Sequence, residues 1–165
     1  MEFGITMFPT DLSIGPIELA RACYLWNTVA HVTRTAARGA AMVDITDPDA
    51  LEGVSRAAMF GQGWVPLAQE LTAQHIRYRF LRDDGVEIAG ICPIENARNC
   101  AANPRGADCI RMVEARLCDP EGDGCAPVPY STLVPISAFP PGTFNFPSFA
   151  TVAPAGSLGR NPNTP

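Results

Sequence analysis

The chain has 165 residues, 47% of them hydrophobic, and a formal charge of -5 at neutral pH. That is long enough for one sizeable core and short enough for a single domain. Its 17 acidic residues outnumber the 12 basic ones, all of them Arg, so no basic stripe exists to neutralise phosphates and a nucleic-acid partner is not expected.

The first residues, MEFGITMFPTDLSIGP, carry no basic run, and Pro9, Asp11 and Pro16 interrupt their apolar character. Neither a secretory signal nor a membrane span is expected there, and residues 1–15 read as an atypical N-terminal segment. From Pro16 to Val43 the spacing predicts a long helix. Leu25, Val29, Val32, Ala36, Ala40 and Val43 recur every three or four residues and share one face, with Arg21, Thr28, Thr35 and Arg38 mainly on others. Pro16 suits a first helical turn, and Glu18 complements the positive end of the dipole. Such a rod is roughly 40 Å long, more than a compact domain needs, so part of it is expected to project or to meet another chain.

Asp47 is a candidate N-cap, with Pro48 at the first position of a second helix over 48–60 that Gly61 and Gly63 stop. Gln74 to Arg82 alternates Ile76, Tyr78 and Phe80 against His75, Arg77 and Arg79, the period of a half-buried strand. Asp83-Asp84-Gly85 turns into VEIAGI, so residues 74–91 read as a β-hairpin. After a cysteine-bounded loop, Ile110 to Leu117 and Tyr130 to Ser137 read as further strands. Beyond them Phe139, Phe144, Phe146 and Phe149 lie among prolines, an extended segment whose rings clamp onto the sheet or a neighbouring chain. Residues 16–160 thus form one α+β domain, a long N-terminal helix on a small, mainly antiparallel sheet, with 161–165 a frayed tail.

Cysteines stand at 23, 92, 100, 109, 118 and 125. No C-x-x-C spacing occurs, and the only imidazoles, His31 and His75, are distant, so zinc is a poor reading. The intervals among Cys92, Cys100, Cys109, Cys118 and Cys125 close short polar loops, where each disulfide is worth roughly 3 kcal/mol and implies an oxidising compartment. Cys118 with Cys125, and Cys92 with either Cys100 or Cys109, are the preferred pairs. Cys23, on the helix, is expected to be a small buried apolar residue.

No catalytic, cofactor or metal site is expected. His75 lacks a nucleophile in an elbow motif, and His31 reads as a packing or inter-subunit residue. Asp119, Glu121, Asp123 and Gly124 imitate the opening of a calcium loop, but position 12 is Tyr130 rather than Glu, so a solvated turn closed by Cys118 and Cys125 is the reading. Glu18 and Arg21 read as a surface pair at i, i+3. Arg77, Arg79 and Arg82 read as a charged outer strand face.

The run IELARACYLWNTVAHVTRTAARGAAMVDITDPDAL resembles the post-membrane helix of TadE/TadG-like pilus assembly proteins, with Glu18, Arg21, Asn27, Arg34 and Arg38 in the matching places, and FPSFATVAPAGSLGR, residues 146–160, resembles the family's closing stretch. The resemblance covers about residues 17–60 and the tail. It implies a pilin-like minor subunit of a tight-adherence pilus, working in assembly, adhesion or surface attachment. Its partners would be other pilus subunits, its anchor the inner membrane and its location the cell envelope or outside it, with no small-molecule substrate. In that setting Leu25, Trp26, Val29, Val32 and Ala36 would supply helix contact area, partly to the chain's own sheet, and Glu2 an assembly role. The family's basic leader and continuous apolar span are not found in residues 1–15, though Glu2-Phe3 is kept. Residues 1–22 are also similar to the first strand and helix of luciferase-like flavin- or deazaflavin-dependent oxidoreductases. The remaining chain lacks the alternating strands and helices of that barrel. A stand-alone secreted adhesin-like domain is the third reading.

Overall fold

Helix α1 runs Thr10–Ala40, about 46 Å at 1.5 Å per residue. The computed structural model describes residues 10–132, 144–156 and 158–159, with side chains from Pro16 onward. The helix begins ahead of Pro16, which therefore lies inside it and not in its first turn. Proline has no N–H to return to the carbonyl four residues back, so one rung of the ladder is missing there.

The helix also ends earlier than its apolar period, at Ala40 rather than Val43. Met42 N–H turns back to the Gly39 carbonyl at 3.0 Å, and the Ala41 carbonyl accepts from the Leu158 N–H at 3.1 Å. The distant tail thus caps the helix, satisfying a terminal carbonyl that would otherwise need water.

Helix α2, Pro48–Ala58, has the expected start: Asp47 Oδ1 accepts from Asp49 N–H at 2.9 Å and Ala50 N–H at 3.3 Å. It crosses α1 at Gly39, where a Cβ would stand 2.7 Å from Val54 Cγ1. Gly61 and Gly63 follow with φ of 74° and 80°, conformations that stop a helix.

A hairpin that the sequence reading left out comes next: β1, Trp64–Val65, pairs antiparallel with β2, Ala68–Thr72. A 3₁₀ turn, Ala73–His75, then leads into β3, Ile76–Leu81. The expected strand from Gln74 is thereby shortened, and His75 leaves its polar face. Ile76, Tyr78 and Phe80 do pack inward as the alternation demands. The Asp83–Gly85 turn forms, with Arg82 N–H to Val86 O at 2.9 Å, but the backbone of the returning arm meets β3 through the Ile88 N–H to Phe80 O bond and an isolated bridge at Leu81 and Glu87 rather than a ladder. Gly90, at φ 77°, diverts the chain before a second strand can develop.

The expected cysteine-bounded loop contains helix α3, Pro93–Ala102. Buried Asn96 fixes it to the next strand, accepting from Ile110 N–H at 2.7 Å and donating to Ile110 O at 3.3 Å. Strand β4, Met112–Leu117, is the centre of an antiparallel sheet ordered β3-β4-β5, with β5 at Ala150–Pro154. Most of the expected strand Tyr130–Ser137 lies outside the described residues; its start at Tyr130 is held by N–H to Phe144 O at 2.8 Å.

The sheet and α1 enclose the core. Leu25, Val29, Val32 and Ala36 are 0 to 1% exposed, against Leu71, Ile76, Ala115, Leu117 and Phe146. A second cluster joins Ala40 and Ala41 to Ile110, Val113 and Leu158. The expected α+β class, a long helix on a small antiparallel sheet, is the one observed.

Two disulfides brace it, Cys118–Cys125 and Cys100–Cys109. The expected bond from Cys92 is not made, and Cys92 is a free thiol. It caps α3 at the N-terminus while Cys100 lies eight residues on, about 12 Å along the axis, beyond the Cα separation a disulfide spans. Cys23 is exposed rather than buried, because it lies roughly opposite Leu25 on the helix.

Candidate functional site

Arg21 stands four residues before Leu25 and eight before Val29, within the buried stripe, and only 6% of it is exposed. Its Nε–H donates to Leu67 O at 3.0 Å, and Nη1 donates to Ser131 O at 2.8 Å, Tyr130 Oη at 3.0 Å and Glu18 Oε1 at 2.9 Å. Tyr130 O–H in turn donates to the same Glu18 oxygen at 2.6 Å. The guanidinium carbon also lies 5.1 Å from the Tyr130 ring centroid. The expectation of a surface pair is therefore corrected: Glu18 and Arg21 form the middle of a buried network that joins α1, the β1–β2 turn and the segment at Tyr130.

Each element presents its part for a local reason. Leu67, in the turn between β1 and β2, has φ 66°, a left-handed conformation costly for a branched side chain. The Arg21 bond to its carbonyl offsets that strain. Tyr130 packs edge-on against buried Phe146 at 5.3 Å. Burial, followed by the hydrogen bond to Glu18, pushes the Tyr130 phenol up to about 12, against the lowering effect of Arg21. Tyr130 is thus held protonated near neutrality, donating to Glu18.

Beside this network the first half of α1 carries its uncovered apolar residues. Ile17 is 62% exposed, Leu19 66%, Tyr24 41% and Trp26 44%. Leu19, Ala22 and Trp26 form one wall of a groove of about 330 Å³, with Phe144 and Asn145 opposite and Tyr130 and Glu18 at its floor. Ala22 and Trp26 are four apart and Leu19 precedes Trp26 by seven, so the three lie along one flank of the helix. Of the residues expected to supply contact area, Leu25, Val29, Val32 and Ala36 are spent on the chain's own core, and Trp26 remains open. Glu2 lies outside the described residues.

The two segments that carry the family resemblance meet in space. Thr33 Oγ1 and Thr151 Oγ1 share a hydrogen bond at 3.0 Å. Leu158 is 1% exposed in the core at Ala40 and Ala41. Gly159, at φ 76°, passes so close to the α1–α2 connection that a Cβ would collide with the backbone of Val43 and Asp44. Asn27 is exposed, donating to Cys23 O at 3.0 Å. Arg34 and Arg38 are exposed on the β5 side of α1.

The remaining candidates are dispersed. His31 is exposed, its ring 6.5 Å from Phe60. His75 Nδ1 accepts from Thr72 N–H at 3.1 Å, and burial holds its pKa below the ordinary imidazole value. Arg79 bridges Glu87 at 2.8 Å and largely buried Glu114 at 3.2 Å, and Arg82 bonds Asp84. Asp119 Oδ1 accepts from Glu121 N–H at 3.0 Å inside the Cys118–Cys125 loop. Among the described residues no group of three or more His, Cys, Asp or Glu could hold a metal ion. No helix among them is long and apolar enough to cross a membrane.

The part Tyr130 plays at Arg21 and the close approach of Gly159 were not expected from the sequence, and Leu67 was not singled out. Arg21 alone carried a signal, its place in the 21-25-29 row; its partners come from positions too distant for any local period to reveal.

No family model, curated protein or solved structure matches this chain. The fold and its two disulfides define an α+β domain of an oxidising compartment.

Proposed function

We propose that this chain is a minor pilin-like structural subunit of a tight-adherence pilus, contributing to assembly, adhesion or surface attachment through helix–helix packing. The observation that carries this is the uncovered row Leu19, Ala22 and Trp26 along one flank of a helix whose core face is already sealed into a disulfide-braced head, with Ile17 and Tyr24 exposed on the opposite flank. An apolar row left on a long helix is what a helix of a neighbouring subunit would cover. The buried Glu18–Arg21–Tyr130 network supports the same reading, since it fixes that half of α1 against the head. The close packing of residues 17–60 with the 146–159 tail supports it too, because those are the segments that resemble the family. The head would reside in the periplasm or outside the cell, with the inner membrane as native anchor and other pilus subunits as partners.

The test is complementation of a strain lacking the gene by Leu19→Asp/Trp26→Asp. Both side chains are exposed, so the variant should keep the wild-type circular dichroism spectrum and its disulfides yet fail to restore pili. Normal piliation would overturn the proposal. Titration with flavin and deazaflavin, followed by fluorescence, should show no micromolar binding; binding would favour an oxidoreductase.

A further inference from the structure

Strand β5 ends the β3-β4-β5 sheet, and no described segment pairs with its outer edge. The register sets Ala115 opposite Thr151 and Val113 opposite Ala153, and Leu117 N–H bonds Phe149 O at 3.0 Å. By the alternation of an antiparallel ladder, the backbone groups of Thr151 and Ala153 face β4 and those of Ala150 and Val152 face outward. The strand, ATVAP, carries no charged side chain of the kind that commonly protects an edge; only Pro154 limits pairing, at its far end.

Between this edge and α1 lies a groove of about 600 Å³, lined by Arg34, Arg38, Met42, Thr151, Val152 and Pro154 among others. Arg34 and Arg38 make no ion pair or hydrogen bond among the described residues. Like charges one turn apart repel by a few tenths of a kcal/mol, so this is an arrangement that an anionic partner would relieve. Thr33 touches Thr151 and Ala41 touches Leu158, so α1 and β5 run side by side in the same direction. Arg34 and Arg38 are separated by about 6 Å along the helix, and alternate side chains of an extended strand by about 6.7 Å. The two repeats match.

We propose that this groove receives an extended acidic segment of another protein, which adds a strand to the Ala150–Val152 edge of β5 and sets carboxylates at alternate positions against Arg34 and Arg38. Backbone pairing supplies the affinity and the arginines select the sequence, the division of labour in other strand additions. Residues between the acids would lie beside Val152, 49% exposed on the opposite face. The inference is independent of the assembly reading: a chain that fails to restore pili can still bind such a segment.

The probe is a fluorescein-labelled ten-residue peptide alternating Glu with Val or Thr, titrated with the full chain and followed by anisotropy. Saturable binding that weakens with salt is expected, with slowed hydrogen exchange at the Ala150 and Val152 amides. Arg34→Glu/Arg38→Glu, two surface changes, should weaken it by about tenfold or more, and so should Gln in place of Glu in the peptide. Val152→Pro removes an outward N–H without touching the β4 ladder and should also abolish binding. Absence of saturable binding, indifference to the charge reversal, or binding without amide protection would each overturn the proposal. So would arginine-dependent binding to phosphatidylglycerol vesicles in the absence of peptide binding.

Discussion

Replacing Arg21 with Met keeps most of the side-chain volume and removes the charge from the buried network. The guanidinium bonds two carbonyls, a phenol and a carboxylate at 2.8 to 3.0 Å. Hydrogen bonds to charged groups contribute about 1.5 to 3 kcal/mol each, but four from one group do not add, since losing the first loosens the rest. The better measure is the cost of stranding one member of a buried ion pair, about 3 to 5 kcal/mol. The Glu18 side chain is 12% exposed, so it is close to that limit. With a urea dependence near 2 kcal/mol/M, the unfolding midpoint should fall by about 2 M. Adding Glu18→Gln removes the stranded charge, so the double variant should be less destabilised than the two single costs predict. A loss under about 1 kcal/mol for Arg21→Met, or strict additivity in the double variant, would refute the account. Tyr130 provides a second readout. In Glu18→Gln its absorbance titration should move down from about 12. Because the folded-state pKa is raised, its stability contribution is present in full below about pH 10 and is lost as the pH climbs from there through the folded value.

Gly159→Ala should lower stability by about 2 to 5 kcal/mol, as if the Leu158 contact were lost, because the new methyl would meet the backbone of Val43 and Asp44 rather than a movable side chain; a urea midpoint unchanged from wild type would contradict the close approach. Alkylation of the native protein should label Cys23 and Cys92 only, with peptide mapping recovering Cys100 linked to Cys109 and Cys118 to Cys125. Label on any of those four in unreduced protein would count against the pairing. His75 has a lowered pKa in the fold, so its contribution is complete above about pH 6.5 and fades as the pH falls through the folded value. His75→Gln should flatten the dependence of the urea midpoint on pH between 5 and 7, and an unaltered slope would show that the imidazole is not responsible.

Several of these features could be read from the chain because they depend on near neighbours. Asp47 and Pro48 start α2 through groups two or three residues away, the alternation of Ile76, Tyr78 and Phe80 belongs to one strand, and Cys118 meets Cys125 across a short polar loop. Helix α3 was legible in principle, with Pro93 in its first turn and Glu95 just after, but the Asn-, Pro- and Gly-rich surroundings suggested a loop. Strands β1, β2 and β5 are short and have little period of their own, and what makes them strands is pairing.

The amino-acid order by itself determined the long one-sided helix, its successor and the antiparallel class of the sheet, since apolar period and capping act within a few residues. Only the tertiary structure decided where α1 stops and that Arg21 is buried with Glu18 against it. Both depend on partners brought from far along the chain: the Leu158 amide at Ala41, and Tyr130 with Leu67 around one guanidinium. Contacts of that span have no local signature, because the chain must first close its loops before the groups can meet.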